Sequence, residues 1–340
     1  MADPANGPDA ARATSRILVV GLPRSGTSWV GRALSAGDDT GYVSEPDNED
    51  GFAYAVRAKR GLGYLPAIAP GQRPSPSYQS LWAAVLGPRA IPQKQRHRVS
   101  RRLHRSARGA SSVHDASTWP IHRRAALAAA AAVSAPGPTP PKARVVVKSV
   151  YAALALRWIR AEFSPAVVIV VRDALNTVSS WRTLGWGPPL ADHPLFADRS
   201  PPEVARALAR IAPGVGLPDP PSADSTPRRL TWELSALLAV MLDETRRDDG
   251  RLVVVSHAAL CAGPHRAFRG VLDALGVAWD PAIDAYLDRS DQPGESTYGT
   301  TRVAAEEPGR WRTRLSAADA GAIRDVADSF DIPGRFGVQW

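Results

Sequence analysis

The sequence contains one cysteine, Cys261, among 340 residues. A single cysteine excludes an intramolecular disulfide and any metal site built from several thiolates. Apolar stretches are short as well: the longest candidates, residues 125–133 and 166–171, fall below the roughly 18 residues of a membrane-spanning helix. The amino-terminal residues are polar and lack the apolar segment of a secretory signal. We therefore expect a soluble, cytoplasmic protein without a transmembrane segment.

Acidic residues are fewer than basic ones, and the formal net charge is +9. A basic protein favours anionic partners. Much of the excess lies in residues 89–108, which carry eight Lys or Arg and two His. This segment could be a solvated basic face or an anion-binding region. Nucleic acid is not an expected partner, because no aromatic residue interrupts the segment and no nucleic-acid motif accompanies it.

The hydrophobic content of 44% is enough for one sizeable core. Residues 1–14 predict a disordered tail, and residues 15–340 predict a single domain with insertions at about 50–142 and 185–228. Frequent Ala and Arg, with 31 prolines, are typical of a GC-rich bacterial coding bias.

Short apolar runs predict buried strands at residues 16–20, 144–148, 167–171 and 252–255. Apolar spacing and end signals predict helices at residues 27–35, 125–133, 151–162, 174–184, 230–246 and 264–275. Residues 60–80 and 185–228 are rich in Gly and Pro and predict irregular loops. The alternation indicates an α/β fold with a central parallel sheet flanked by helices on both faces.

The sharpest local motif is GLPRSGTS, residues 21–28, between the first predicted strand and helix. Backbone amides and a helix amino terminus can surround an anion there, and Gly21 and Gly26 permit the tight path. The spacing nearly matches GxxxxGK[ST], but Thr27 replaces the Lys and Arg24 supplies the cation instead. A degenerate kinase loop and an ordinary strand–turn–helix connection remain open alternatives.

A second motif is a strand that ends in Arg172, with Ser180 eight residues later on the next predicted helix. A guanidinium fork and a hydroxyl hold a dianionic phosphate well, and Ser179 is the neighbouring candidate hydroxyl. Asp173 could instead be a magnesium ligand of the Walker B type. Arg172 could also form a surface ion pair, with Ser180 filling a helix position.

These segments resemble the sulfotransferases that use 3′-phosphoadenosine-5′-phosphosulfate (PAPS). That family has PRSGT or PKSGT after its first strand, and a strand ending in Arg with Ser eight residues later. Residues 252–279 resemble a later family segment, although His257-Ala258-Ala259 replaces its Tyr-Glu-Asp. The resemblance covers residues 16–48, 143–183 and 250–315. It implies a P-loop-type sheet, PAPS as donor, adenosine 3′,5′-bisphosphate (PAP) as product, and no metal.

The resemblance also implies roles for single residues. Arg24 would contact the bridging and sulfuryl oxygens of PAPS. The 5′-phosphate would be bound by Ser25, Gly26, Thr27 and Ser28, and the 3′-phosphate by Arg172 and Ser180. Arg302 is a further candidate for contact with the nucleotide.

Sulfuryl transfer to a hydroxyl needs a base near the acceptor oxygen and cations near the transferred group. Glu45 lies 21 residues after Arg24, just past a short predicted strand. It resembles the base of carbohydrate, tyrosyl-protein and several bacterial sulfotransferases, although it could be a solvated acid. The cytosolic small-molecule branch has His in a Lys-x-His pattern, where this chain has Lys148-Ser149-Val150. The predicted catalytic residues are therefore Glu45, Arg24 and Lys148, and the fallback bases are His114, His122 and His257.

The sequence thus predicts a PAPS-dependent O-sulfotransferase that acts on a small-molecule, carbohydrate or glycolipid acceptor. The alternatives are a small-molecule kinase with a modified phosphate loop and a non-catalytic protein that binds phosphorylated ligands. An acceptor pocket could be lined by tryptophans that would serve equally well in the core: Trp82, Trp119, Trp181 and Trp186.

Overall fold

The computed structural model describes residues 15–87, 102, 104–107, 118–133, 143–191, 193–197, 199–221, 226–247, 250–294 and 302–338. The predicted tail at residues 1–14, most of the basic segment 89–108 and His114 lie outside the described residues. Across the described ranges, no helix is long and apolar enough to cross a bilayer. A cytoplasmic location stays a prediction.

Five parallel strands form one sheet in the order β2-β3-β1-β4-β5. They are β1 (Arg16–Gly21), β2 (Thr40–Ser44), β3 (Arg144–Ser149), β4 (Ala166–Val171) and β5 (Leu252–Ser256). Branched aliphatic side chains favour these strands because they pack well on a pleated surface. Alternate residues of β1 enter different cores: Leu18 and Val20 pack on one face of the sheet, and Ile17 and Val19 on the other.

Helices cover both faces of the sheet. In chain order they are α1 (Thr27–Leu34), α2 (Ala53–Ala58), α3 (Pro76–Leu86), α4 (Ile121–Val133), α5 (Leu156–Phe163), α6 (Ala174–Thr183), α7 (Pro201–Ile211), α8 (Thr226–Leu242), α9 (His257–Ala262), α10 (Pro264–Ala274), α11 (Pro281–Ser290), α12 (Ala317–Ser329) and α13 (Ile332–Phe336). Short 3₁₀ helices span Asp243–Arg247 and Ala304–Thr313. Helices α1, α10 and α11 bury apolar residues on one face, and α3, α6, α8 and α12 on the other. The predicted α/β class, with a parallel sheet flanked on both faces, is confirmed.

Two segments predicted to be irregular contain helices. Helix α7 lies within residues 185–228, because Ser200 and Glu203 form a capping box and prolines occupy its first positions. Helix α3 begins at Pro76, inside the predicted loop 60–80, where the Ser75 hydroxyl accepts a hydrogen bond from the Tyr78 amide. The prolines at both sites mark the start of a helix, where a missing N–H costs little.

Three predicted helices begin at clearly different residues in the structure. The helix predicted at residues 151–162 begins at Leu156, because residues 152–155 form a buried turn closed by the Ala155 amide and the Ala152 carbonyl. The helix predicted at residues 230–246 begins at Thr226 and continues as a 3₁₀ helix after Leu242. Helix α4 begins four residues earlier than predicted, at Ile121.

The order of the strands reverses around β1. The chain passes from β1 to β2 on one side of the sheet and reaches β4 and β5 on the other side. In open parallel sheets, such a reversal leaves a crevice beyond the carboxyl ends of the strands, and ligands bind there.

Candidate functional site

Every strand places one prominent polar residue at the same edge of the sheet. Arg24 follows β1, Glu45 follows β2, Lys148 lies near the end of β3, Arg172 follows β4, and His257 follows β5. All five line one cavity of about 420 Å³, called here the main cavity. The sequence separates these residues by more than 200 positions, and the parallel sheet brings them together.

The loop after β1 ends at the amino terminus of α1. Gly26 is the N-cap of this helix, and the first turn has neither a side-chain cap nor an acidic residue. A helix amino terminus attracts an anion through its N–H groups and dipole. Thr27 and Ser28, the first two residues of the helix, line the main cavity, so this terminus suits a phosphate or sulfate group there.

Glycine is required at position 26 by both the backbone conformation and the close approach of a neighbouring side chain. Its φ angle of 96° lies in the left-handed region that glycine adopts readily. A β-carbon at this position would lie 2.4 Å from Cδ2 of His257. The loop therefore packs directly against the first residue of α9.

Arg24 is the only residue of this loop other than glycine with a positive φ, 74°. Its Nε donates a hydrogen bond to Ser180 Oγ at 3.0 Å, and its carbonyl accepts one from Arg172 Nη1 at 2.9 Å. Trp181 Nε1 also donates to the carbonyl of Pro23. These bonds tie the loop after β1 to β4 and α6, and they hold Arg24 in a conformation that non-glycine residues rarely adopt.

Arginines surround a single carboxylate next to Arg24. Glu307, in the second 3₁₀ helix, accepts from Arg172 Nη2 at 3.0 Å and from Arg310 Nη1 at 2.5 Å, and Arg302 Nε lies 3.7 Å away. Burial acts to raise the pKa of Glu307, but the Arg310 hydrogen bond and the Arg172 and Arg310 charges bring it below its usual range. We call Arg172, Arg302 and Arg310 the arginine cluster.

A small cavity of about 140 Å³ adjoins the arginine cluster. Its lining includes Ser180, Thr183 and Arg314, together with Arg24 and the members of the cluster. Burial and the positive charge of Arg310 lower the pKa of Arg314. The Nε of Arg172 is buried without a hydrogen-bond partner. The small cavity is therefore strongly positive and offers donors to an anion.

The opposite side of the main cavity holds an ion pair. Lys148 Nζ donates to Glu45 Oε1, and Asn48 Nδ2 donates to Glu45 Oε2 at 2.8 Å. The Glu45 amide donates to the Lys148 carbonyl at 2.6 Å, although Glu45 has a φ of 50°. Lys148 is buried, whereas 21% of the Glu45 side chain is exposed. The carboxylate is thus fixed in position and still reachable from the cavity.

A second carboxylate, that of Asp47, stabilises the segment that contains Glu45. Asp47 is fully buried, and the Ser149 hydroxyl lies 2.8 and 2.7 Å from its two carboxylate oxygens. Burial raises the pKa of Asp47 to about 6, although the nearby Lys59 charge opposes this. Since Asp47 and Ser149 are close neighbours of Glu45 and Lys148, their bond holds the two segments of the ion pair together.

A protein-family model described as the sulfotransferase family matches residues 16–209, more than half of the chain. The chain belongs to the sulfotransferase family. The match includes the loop after β1, the Glu45–Lys148 pair and Arg172, whereas residues 252–279 lie beyond it. No curated protein matches the sequence.

Several solved structures are similar to this sulfotransferase. The sulfotransferase domain of the Synechococcus PCC 7002 olefin synthase has a TM-score of 0.40 and 16% identity, with 93% of this chain and 94% of that chain covered. A sulfotransferase from Mycobacterium avium has a TM-score of 0.40 and 12% identity, covering 96% and 78%. A mouse sulfotransferase complexed with PAP has a TM-score of 0.38 and 8% identity, covering 94% and 88%.

Membership of the family fits PAPS as donor and PAP as product. The predicted site residues of this sulfotransferase fall into two groups in the structure. Arg24, Ser180 and Arg172 meet at the small cavity, and Gly26, Thr27 and Ser28 line the main cavity beside them. Ser25 is buried behind the loop, and its hydroxyl has no hydrogen-bond partner. Glu45 and Lys148 form the second group.

The fallback bases differ in their positions. His114 lies outside the described residues, and His122 is exposed on α4. His257 lines the main cavity, but burial lowers its pKa to about 3, with a further contribution from the charge of Arg172. The imidazole of His257 is therefore neutral near pH 7, and its ring packs against Gly26 in the loop after β1.

The aromatic lining of the main cavity includes one residue from each predicted insertion, Tyr64 and Trp186, and also Tyr151 after β3. Tyr64 and Tyr151 meet edge to face at 4.9 Å, and they line the main cavity with Trp186. Burial raises the pKa of Tyr64 to about 12, so its phenol stays neutral. The other predicted tryptophans, Trp82, Trp119 and Trp181, are buried. Trp186 is thus the member of that group that reaches the cavity.

Sequence reasoning missed Glu307, Arg310 and Arg314. Their stretch, EEPGRWRTR, combines charges with Pro and Gly and has no periodic pattern that would indicate a site. Arg302, which was predicted, lines both cavities. No cluster of three or more His, Cys, Asp or Glu suited to a metal ion occurs in the part of the chain that the structure describes.

Proposed function

We propose that this protein is a PAPS-dependent O-sulfotransferase that transfers the sulfuryl group to the hydroxyl of a small, uncharged acceptor. The observation that best supports this proposal is the arrangement of the main cavity. Groups suited to an anion line one side, and the Glu45–Lys148 pair lines the other. A reaction between an anionic donor and a hydroxyl needs both sides, facing each other across a common space.

On the donor side, the loop after β1 would bind the 5′-phosphosulfate through its amides and the amino terminus of α1. The 3′-phosphate would occupy the small cavity, where Ser180 and the arginine cluster supply donors. The unpartnered Nε of Arg172 supports this assignment, because a buried donor without a partner is costly and a phosphate oxygen would satisfy it.

On the acceptor side, Glu45 would take the proton of the acceptor hydroxyl as its oxygen attacks sulfur. The bond between sulfur and the bridging oxygen of the 5′-phosphate breaks, which gives the sulfate ester and PAP. Lys148 would stabilise negative charge that develops on the transferred group and the bridging oxygen. Asn48 and Lys148 already orient the Glu45 carboxylate for this task.

The lining of the acceptor side favours an uncharged substrate with an apolar or aromatic face. Tyr64, Tyr151, Trp186 and Val150 supply apolar surface. The two lysines near them are both paired with acids: Lys148 with Glu45, and Lys59, which lies 4.7 Å from the centre of the Tyr151 ring, with Glu49. An anionic acceptor would meet the Glu45 carboxylate without a compensating cation, which is unfavourable at short range. Aromatic side chains bind flat apolar faces and still offer a hydroxyl or indole donor at the rim.

We further propose that residues 15–340 act as one domain whose two inserted segments shape the acceptor side. Tyr64 belongs to the first predicted insertion, at about residues 50–142, and Trp186 to the second, at about 185–228. Both reach the cavity formed at the edge of the sheet.

The test is a transfer assay with PAPS and a matched pair of acceptors, 2-naphthol and 6-hydroxy-2-naphthoate. Sulfate ester and PAP are quantified by mass spectrometry. We expect equimolar ester and PAP from 2-naphthol, with kcat/KM at least roughly tenfold above that of the charged analogue. If neither naphthol nor a neutral glycoside yields a sulfate ester, the proposal as a whole is contradicted. If the charged and the uncharged naphthol are used equally well, the proposed preference for an uncharged acceptor is contradicted.

A further inference from the structure

Glu307 is a carboxylate at the place where the proposed function requires a phosphate. It is 8% exposed and lines both the main and the small cavity. Arg172 and Arg310 donate to different oxygens, Oε2 and Oε1, so both carboxylate oxygens are bound. This arrangement is the one that a cluster of guanidinium groups makes with an anionic ligand.

The contacts of Glu307 limit what Arg172 can offer to a nucleotide. One terminal nitrogen of Arg172 donates to the Arg24 carbonyl, and the other donates to Glu307. A phosphate that accepts a fork of two bonds from Arg172 must therefore share or replace the bond to Glu307. Like charges at such a short distance repel each other strongly where water is scarce.

We propose that Glu307 is an internal competitor for the 3′-phosphate of the nucleotide, and that it promotes release of PAP. This inference rests on the proposed function. A 3′-phosphate carries a charge close to −2 and three acceptor oxygens, so it displaces a single carboxylate from the arginine cluster. When the nucleotide leaves, the carboxylate returns and neutralises arginines that would otherwise be buried without an anion.

The displacement involves the side chain rather than the backbone. Asn176, in α6, donates to the carbonyl of Pro308 at 2.8 Å and accepts from the Trp311 amide at 3.2 Å. The Ala304 amide donates to Asp291 at 2.7 Å. Since these bonds anchor the 3₁₀ helix on both sides of Glu307, rotation of the Glu307 side chain opens the cluster while the helix stays in place.

Competition by Glu307 lowers the affinity for the nucleotide and makes each catalytic cycle faster. PAPS and PAP carry the same 3′-phosphate, so Glu307 weakens the binding of both. Product release limits the turnover of many enzymes, and a competitor that returns to the cluster accelerates that step. Glu307 thereby touches the site of the nucleotide and sets its residence time.

The test compares binding of PAP and 5′-AMP to wild type, Glu307→Gln and Glu306→Gln. Glu306 is the adjacent, exposed acid, so its substitution makes the same change in charge without entering the cluster. We expect Glu307→Gln to bind PAP roughly tenfold more tightly, with slower dissociation in stopped-flow experiments, because a repulsive partner of the phosphate is gone. Binding of 5′-AMP, which lacks the 3′-phosphate, should change less than about twofold in either variant.

Unchanged or weaker binding of PAP to folded Glu307→Gln would overturn the inference, since Glu307 would then arrange the arginines rather than compete. Should the glutamine variant fail to fold, Glu307→Asp provides a second variant that keeps the charge. Its shorter side chain withdraws the carboxylate from the arginine cluster, so PAP binding should again become tighter. Unchanged PAP affinity in this variant would count against competition. If wild type itself binds PAP and 5′-AMP equally, the 3′-phosphate site fails and the proposed function fails with it. If wild type binds PAP more tightly than 5′-AMP but neither variant binds PAP more tightly than wild type does, this inference alone is refuted.

Discussion

Asp47 shows how a single buried acid makes the stability of the folded protein depend on pH. The carboxyl group titrates at 3.8 when exposed and at about 6 in the folded protein. Below about pH 4, Asp47 is protonated in both the folded and the unfolded chain, and its contribution to stability is complete. As the pH rises through about 6, the folded protein must ionise a buried group, and this contribution is lost. The difference amounts to about 3 kcal/mol.

The substitution Asp47→Asn should remove this dependence while keeping the bond to Ser149. The free energy of unfolding of the variant, minus that of wild type, should therefore increase by about 3 kcal/mol between roughly pH 4 and pH 7. Urea denaturation at several pH values measures it. Asp328→Asn, at an exposed position of α12, is the control and should show no trend. A constant difference for Asp47→Asn across this range would show that Asp47 does not carry a raised pKa.

Single residues were predictable where a motif fixed them. Arg24, Arg172 and Glu45 each follow a strand, and parallel strands deliver such residues to one edge, so their meeting followed from the sequence. Glu307 was not predictable in this way. Its partners lie 135 residues away at Arg172 and close by at Arg310, and no local pattern specifies an ion pair of that kind.

Among the elements, the four strands with predicted bounds, β1, β3, β4 and β5, agree with the structure to within one residue at each end, and no bounds were predicted for β2. Their runs of Val, Ile and Leu are buried on both faces, which leaves little choice of conformation. The helices were harder to predict, because proline interrupts the interior of a helix but is favoured in its first turn. The prolines within residues 185–228 were interpreted as a sign of irregular structure, whereas the Ser200–Glu203 capping box makes Pro201-Pro202 the start of α7. Tyr64 and Tyr151 in the lining of the main cavity were not predicted, because no motif marks them, whereas Glu45, Lys148 and Trp186 were named from the sequence.

The loop after β1 gives a prediction at the scale of an element. Gly26→Ala places a β-carbon against His257 and forces alanine into the left-handed region. We expect a loss of roughly 1–3 kcal/mol of stability. We also expect weaker binding of both PAP and 5′-AMP, because the substitution displaces the loop that we propose binds the 5′-phosphate. Thermal unfolding and calorimetry measure the two effects.

The matched control for this loop is Gly270→Ala. Gly270 lies in α10 with open space around its α-carbon, so alanine there should be neutral or should stabilise the helix by up to about 1 kcal/mol. If Gly26→Ala behaves like this control and binds nucleotide normally, the close packing of the loop on His257 is not what shapes the anion site.

At the scale of the whole molecule, the proposed function assigns two tasks to two parts of the sheet. Residues that follow β1 and β4 would bind the anionic donor, and the Glu45–Lys148 pair beside β2 and β3 would act on the acceptor. The sulfotransferase family and the parallel α/β fold are established by the match and by the sheet itself. The separation implies that nucleotide binding and proton removal can be impaired independently.

The most direct measurement of this claim is sulfuryl transfer and PAP affinity on the same purified Glu45→Gln protein, with exposed Glu162→Gln as control. Glutamine keeps an oxygen that can accept from Lys148 but cannot take a proton near pH 7. The account predicts PAP affinity within a few-fold of wild type and transfer reduced by roughly 10²–10⁴-fold. Near-normal transfer by Glu45→Gln, or loss of transfer and PAP binding together, would contradict it.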